Sequence, residues 1–271
     1  MDNRPIGVFD SGLGGLSVVR QLLQLMPGED IVYFGDTGRV PYGTRSDETI
    51  RRYAREDCTF LLSKDVKHII AACGTVSSVA QDILKGLPIS ANGVVEATAA
   101  AAVRSTRNGR IGVIGTAATV RSHSFDTAIH AIDPALSVTA APCPMLVPLV
   151  ENGWIDPHDE VAVQLVRRYM QPMKAAGVDT LVLGCTHFPL LAPVIAAELG
   201  DGVTLIDSGL ETARHCAAHL RQAGMNSENT VGHCRFYVSD RPEGFARVAE
   251  VFLGRSVEED VEMLSPEFFT E

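Results

Sequence analysis

The sequence lacks the features that mark several large functional classes. It has no CxxC pair and no HExxH, and its cysteines and histidines are not spaced as zinc ligands, so no metal site is expected. No apolar run is long enough to span a bilayer. Met1 to Ile6 lack the basic and apolar regions of a signal peptide, so the expected location is cytoplasmic. In that reducing compartment Cys58, Cys73, Cys143, Cys185, Cys216 and Cys234 should be free thiols. Positive charge is short: 23 Lys+Arg against 33 Asp+Glu leave a formal net charge of -10. That balance argues against nucleic acid or an anionic membrane as the main partner. Lysine is scarce too. Lys64 and Lys67 precede an expected strand, and Lys85 and Lys174 lie near expected helix ends. None is placed for the Schiff base that pyridoxal phosphate needs. The glycine-rich loop Asp10-Ser11-Gly12-Leu13-Gly14-Gly15-Leu16-Ser17 is neither GxGxxG nor GxxxxGK[ST], which argues against a dinucleotide or nucleoside triphosphate.

What remains is the composition of an ordinary globular protein, 46% hydrophobic and 21% charged over 271 residues. Short apolar runs at Ile6–Phe9, Ile31–Phe34, His68–Ala72, Ile111–Ile114, Leu181–Leu183 and Val203–Ile206 read as buried strands, with Arg235–Val238 as a further candidate. Helical stretches such as Glu48–Leu62, Glu160–Ala176 and Glu211–Ala223 alternate with them. This alternation predicts an α/β architecture of doubly wound parallel sheets. The chain also echoes itself. Gly7 to Leu13 resembles Leu205 to Leu210, and Ile69 to Thr75 resembles Leu181 to Thr186. Two similar lobes facing each other are expected.

Ligands in such sheets bind beyond the carboxyl ends of the strands. Asp10, Cys73, Thr116, Cys185 and Asp207 fall there; Cys58 and Cys216 sit inside helical patterns, Cys234 precedes a strand, and Cys143 lies in a turn between Pro142 and Pro144. A lone cysteine after a strand is ordinarily a packed thiol. Two in matching contexts, each leading into a helix whose N-terminus favours a thiolate, point to paired chemistry. Asp10 reads either as a helix cap or as a carboxylate near a small ligand. Gly35 to Gly43 reads as a second polar loop. Glu151 and His187 are candidates to orient a thiol or to move a proton.

Taken in order, these motifs resemble the bacterial glutamate racemases. The resemblance rests on Val8 to Gly15, Tyr33 to Thr37 with Pro41-Tyr42-Gly43, the Cys73 segment, Ile114-Gly115-Thr116 with Thr119, Pro148 to Glu151, and Leu183 to Leu191. It implies two α/β lobes, 1–97 plus 207–271 and 98–206, with the active site in the cleft between them. It implies a cofactor-free, two-base racemisation of L- and D-glutamate that supplies peptidoglycan synthesis, in a homodimer. Cys73 would serve the D-enantiomer and Cys185 the L-enantiomer, assisted by Asp10, Glu151 and His187. Asp10, Ser11, Tyr42, Gly43, Gly74, Thr75, Thr116, Thr119, Thr186 and His187 would line the substrate site. One departure stands out: the family's usual Cys-Asn-Thr is here Cys73-Gly74-Thr75. The lost side-chain contact would typically cost about 0.5–1.5 kcal/mol and loosen the preference for glutamate. The alternatives are a racemase of another amino acid, such as aspartate, and a non-catalytic regulatory protein that binds DNA gyrase.

Overall fold

A computed structural model of the chain describes residues 1–265 and 268. The C-terminal residues of the expected first lobe, 266, 267 and 269–271, lie outside that set. Ten strands are described: β1 (Ile6–Asp10), β2 (Ile31–Gly35), β3 (His68–Ala71), β4 (Ser90–Gly93), β5 (Arg110–Gly115), β6 (Ser137–Pro142), β7 (Thr180–Leu183), β8 (Thr204–Asp207), β9 (Cys234–Val238) and β10 (Val261–Met263). They form two sheets, ordered β10-β9-β2-β1-β3-β4 and β6-β5-β7-β8. Every pairing is parallel.

The strands foreseen from apolar runs are mainly those buried on both faces. All residues of β1, β2, β3 and β7 are buried. The strands not foreseen, β4, β6 and β10, lie at sheet edges. Their residues are mostly half-buried or exposed, as in Ser-Ala-Asn-Gly of β4. An edge strand is held by one hydrogen-bonded neighbour and needs no continuous apolar run.

The two sheets repeat one pattern. In β2-β1-β3-β4 and in β6-β5-β7-β8, the first strand of the repeat is central and pairs with the second and third. Strand β1 therefore corresponds to β5, β2 to β6, β3 to β7, and β4 to β8. Cys73 follows β3 and Cys185 follows β7, so the two thiols occupy equivalent positions, as the second sequence echo implies. The first echo does not survive. It pairs β1 with β8, which hold different places in their sheets. Asp207 at the end of β8 is a helix cap, its Oδ1 accepting from the Gly209 and Leu210 N–H groups at 2.8 and 3.2 Å. The likeness between the two segments reflects a shared turn chemistry.

The helices follow their local signals. Asp47–Ser63 starts at Ser46, whose Oγ accepts from Thr49 N–H at 3.3 Å, with Asp47 and Glu48 in its first turn. Glu160–Ala176 starts at the Asp159 cap and stops at Gly177, which takes the left-handed conformation (φ 63°). After β8 the chain returns through helix Ser208–Gln222, which packs against helices Leu16–Leu25 and Val95–Ser105. It then adds β9 and β10 to the first sheet.

At the amino end of the first sheet, away from the strand ends that carry the thiols, Lys67 is fully buried. Its ammonium donates to Glu29 Oε2 at 2.5 Å and to the carbonyls of Asp2 and Met225 at 2.6 and 2.8 Å. Glu29 Oε1 accepts from Ser227 N–H at 2.8 Å. One cation thus ties the N-terminal segment, β3 and the 225–227 segment together. Lys67→Ala strands a buried carboxylate, and urea unfolding is expected to show a loss of about 3–5 kcal/mol; a loss below about 1 kcal/mol would mean the pair behaves as a surface ion pair.

Candidate functional site

The carboxyl ends of the two sheets face one cavity of about 350 Å³. Most residues singled out in the sequence line it: Cys73, Gly74 and Thr75 after β3, Cys185, Thr186 and His187 after β7, Ser11 after β1, Thr116 after β5, Tyr42 and Gly43 after β2, and Glu151 after β6. Equivalent strand ends of the two repeats thus supply opposite walls.

All six cysteines are buried free thiols, so burial does not tell them apart. Position does: only Cys73 and Cys185 line this cavity. Cys143 sits one residue from the lining residue Pro144 but points to Ala141 O at 3.8 Å, in keeping with a turn residue. The four lysines are all outside the lining.

The two thiols have different surroundings. Cys73 donates to Ser11 Oγ at 3.4 Å. Burial pushes its thiol up to about 12, and nearby Asp10 adds to the shift. At neutral pH it is a thiol. Cys185 Sγ lies 3.7 Å from His187 Nδ1, and His187 Nε2 lies 3.0 Å from Glu151 Oε1. Burial alone would lower the His187 value, but its hydrogen bonds to Cys185 and Glu151 outweigh this and raise it from 6.5 to about 10. The imidazole is therefore protonated at neutral pH, with one N–H toward the sulfur and the other toward the carboxylate. The ring also meets the edge of Phe252, 5.8 Å between centroids, from helix Pro242–Leu253. No periodicity in the sequence linked this C-terminal residue to the site.

Two expected site residues stand behind the wall. Asp10 is buried; its Oδ2 accepts from Gly12 N–H at 2.9 Å and its Oδ1 from Thr186 Oγ at 3.4 Å. Burial raises its carboxyl above the usual range, with His187 pulling the other way. Thr119 reaches the cavity through Thr116, their hydroxyls 3.0 Å apart, and Thr116 is in turn 3.0 Å from Thr75. This chain of three hydroxyls crosses from one sheet to the other. Glycines allow the same closeness elsewhere. A Cβ on Gly14 would overlap the Thr186 hydroxyl and crowd the His187 ring at 2.6 Å, and one on Gly43 would meet Thr116 at 2.9 Å.

Tyr42 lines the cavity with its ring, while its hydroxyl is committed elsewhere. That hydroxyl pairs with Asp36 and with Asp57 Oδ2, the latter at 3.1 Å. Arg39 bridges Asp36, Glu56 and Asp57, and Ser239 Oγ donates to Asp36 Oδ1 at 2.7 Å. The network pins the loop from Asp36 to Thr44 against helix Asp47–Ser63 and the end of β9. Burial, then the charge of Asp36, pushes the Asp57 carboxyl well above the usual range. Sequence reasoning missed this support, because Asp57 lies mid-helix and reads as a solvent-facing residue. It also missed an apolar rim of Val40, Pro41, Pro144, Val147 and Pro148. Val40 and Pro41 lie in the loop after β2, Pro144 in the turn after β6, and Val147 and Pro148 in helix Leu146–Glu151, and only folding brings them to one opening.

The arrangement places two thiols, one paired with an imidazolium, around a space that can hold a small molecule and that is lined by hydroxyl donors. The Asp/Glu/Hydantoin racemase family model matches residues 6–216. A curated glutamate racemase from Geobacter metallireducens is 47% identical over 253 residues, covering 93% of each chain. Among solved structures, a glutamate racemase from Bacillus anthracis superposes with a TM-score of 0.94 at 36% identity, covering 98% of this chain and 99% of that one. Another, from Francisella tularensis in complex with D-glutamate, has a TM-score of 0.91 at 36% identity and 98% coverage of both chains. Similarity of this extent, in sequence and in backbone, means that the chain belongs to the Asp/Glu/hydantoin racemase family.

Proposed function

We propose that this protein interconverts L- and D-glutamate without a cofactor, using Cys185 and Cys73 as bases on opposite faces of the substrate α-carbon. The observation that carries the reading is the pair of thiols at equivalent strand ends facing one cavity. Glutamate as substrate is supported by relatives that are named glutamate racemases, one of them holding D-glutamate.

The reaction starts on the L side with the Cys185 thiolate, held beside the His187 imidazolium. It takes the α-proton and becomes a thiol. The electron pair of the C–H bond moves into the α-carbon and its carboxylate. The Cys73 thiol then delivers its proton to the opposite face, giving D-glutamate and leaving a Cys73 thiolate. Burial keeps Cys73 protonated, ready to deliver its proton on the L-to-D pass. The hydroxyls of Ser11 and Thr75 donate to the developing charge, Thr75 in turn accepting from Thr116; a well-placed donor in a dry site contributes about 3–4 kcal/mol. Thr119 orients Thr116. Asp10 holds Thr186 and the Gly12 amide, and Glu151 holds His187. Closure of the lobes, 1–97 with 207–271 against 98–206, excludes water. D-glutamate from this reaction serves peptidoglycan synthesis, and the working form is a cytoplasmic homodimer. Among the described residues no helix is long and apolar enough to cross a membrane.

The direct test incubates the purified protein with L-glutamate in deuterated water, with no cofactor added. D-glutamate carrying α-deuterium is the expected product. Cys73→Ala and Cys185→Ala should each lower its formation by at least about 10²–10⁴-fold, the range for removing a proton-transferring group. Exchange with aspartate in place of glutamate would move the substrate and keep the mechanism. A folded protein that exchanges the α-proton of no amino acid would sink the enzymatic reading and favour a regulatory role such as gyrase binding.

A second expectation concerns pH. The equilibrium constant of a racemisation is one, so kcat/KM is equal in both directions at every pH. Both productive forms share two protons among Cys73, Cys185 and His187. Loss of the His187 proton removes one of them, so kcat/KM should fall as pH rises through about 10. His187→Gln should lower kcat/KM by about 10²–10⁴-fold and abolish that limb. A limb kept unchanged in the variant would assign it to another group.

A further inference from the structure

We infer that Gly74 sets how closely the two thiol-bearing strand ends approach, and thereby couples proton removal at one sulfur to proton delivery at the other. The inference rests on the two-thiol reading above. Gly74 follows Cys73 and opens helix Gly74–Val79, while Gly184 precedes Cys185 at the end of β7. The two glycines meet across the cleft. A Cβ placed on Gly74 would overlap the carbonyl oxygen of Gly184, stand 3.4 Å from its carbonyl carbon and lie 3.8 Å from the Cα of Cys185.

Neither backbone has room to yield. Gly184 N–H donates to Ile114 O at 2.8 Å, and Ser208 Oγ donates to the neighbouring Leu183 O at 2.9 Å. The far side of Gly184 is closed by the Phe125 ring, 3.1 Å from where its own Cβ would stand. On the other strand end, Ser77 N–H donates to Cys73 O at 2.9 Å and Ser77 Oγ to Ala71 O at 2.8 Å. A side chain at position 74 is therefore relieved by moving the sheets apart. That motion breaks the hydroxyl contacts bridging the cleft beside it, Thr75 with Thr116 at 3.0 Å and Thr186 with Asp10 at 3.4 Å.

Read this way, the departure from Cys-Asn-Thr is a matter of fit. A residue with a Cβ, the asparagine usual in the family included, is incompatible with the closure seen here. The glycine contributes its lack of volume, and the rest of the site is built to the spacing it permits. Position 74 has a helical backbone, so alanine is conformationally acceptable there and favours the helix. The substitution therefore tests spacing without adding backbone strain at position 74.

Gly74→Ala and Gly74→Asn are compared with the parent protein in deuterated water, starting from each enantiomer of glutamate. Appearance of the opposite enantiomer and α-deuterium in the recovered starting enantiomer are followed separately. Both variants should stay folded, melting a few degrees below the parent as the bridging hydrogen bonds open, and show inversion with kcat about 10²-fold lower and KM little changed, the penalty for misplacing a reacting group by about an ångström. The ratio of deuterium uptake with retention to inversion should rise. One sulfur still removes the proton and becomes S–H, which exchanges with solvent to S–D and returns deuterium to the same face because the second sulfur is out of reach. A merely structural role would lower both rates in proportion. A crystal structure of Gly74→Ala should show the Thr75–Thr116 contact opened. The inference is overturned if either variant inverts glutamate as fast and as tightly coupled as the parent, if Gly74→Asn has the higher kcat/KM, or if the threonine contact survives around the alanine methyl. A parent protein inert toward every amino acid would instead defeat the two-thiol reading, while the Gly74→Ala structure would still decide the claim about spacing.

Discussion

Closure of the two sheets over a cavity of about 350 Å³ is the constraint on which the site depends. The contacts that close it are few and small: a glycine against a carbonyl, a threonine pair, a threonine hydroxyl on a buried carboxylate, and a glycine under an imidazole. Each hydrogen bond of this kind is worth about 0.5–1.5 kcal/mol net. These contacts lie beside a site that must admit and release a charged amino acid in every turnover. The strong interactions lie elsewhere. The Lys67–Glu29 pair lies at the amino end of the first sheet, and one apolar core joins residues of both sheets, Val8 and Tyr33 with Ile114 and Leu183.

A repeated fold supplies the geometry, and local substitutions within the repeat supply the chemistry. Cys73 and Cys185 occupy the same place in their sheets, yet one neighbours a serine hydroxyl and the other an imidazolium held by Glu151. Symmetric placement serves a substrate whose two enantiomers differ only in the face of one carbon. The surroundings are asymmetric: burial pushes the Cys73 thiol up to about 12, while Cys185 has the His187 ring beside it, and the proposed transfer from one face to the other needs one base and one acid at the same moment. Among the described residues the buried network of Asp36, Arg39, Tyr42 and Asp57 has no counterpart at the equivalent loop after β6. It holds the first half's wall of the cavity, the loop from Asp36 to Thr44, opposite the wall built from Pro144 and helix Leu146–Glu151.

Much of this was legible in the residues themselves. Strands buried on both faces leave continuous apolar runs, and the rule that ligands gather at the carboxyl ends of parallel strands singled out Cys73 and Cys185 from six cysteines. Loop glycines and capping residues are likewise local, because backbone sterics and unpaired N–H groups act within a few residues. The sequence by itself therefore determined the fold class, the two thiols and most of the hydroxyls around them. The tertiary structure decided what depends on distance between remote segments. Edge strands β4, β6 and β10 became visible only with their partners. The first internal echo proved to join non-equivalent strands. Asp57 and Phe252 acquired roles only when folding brought them beside Tyr42 and His187. Gly74 shows the division most plainly: as a letter it reads as a missing side chain, and only the carbonyl of Gly184, more than a hundred residues away, reveals that there is no room for one.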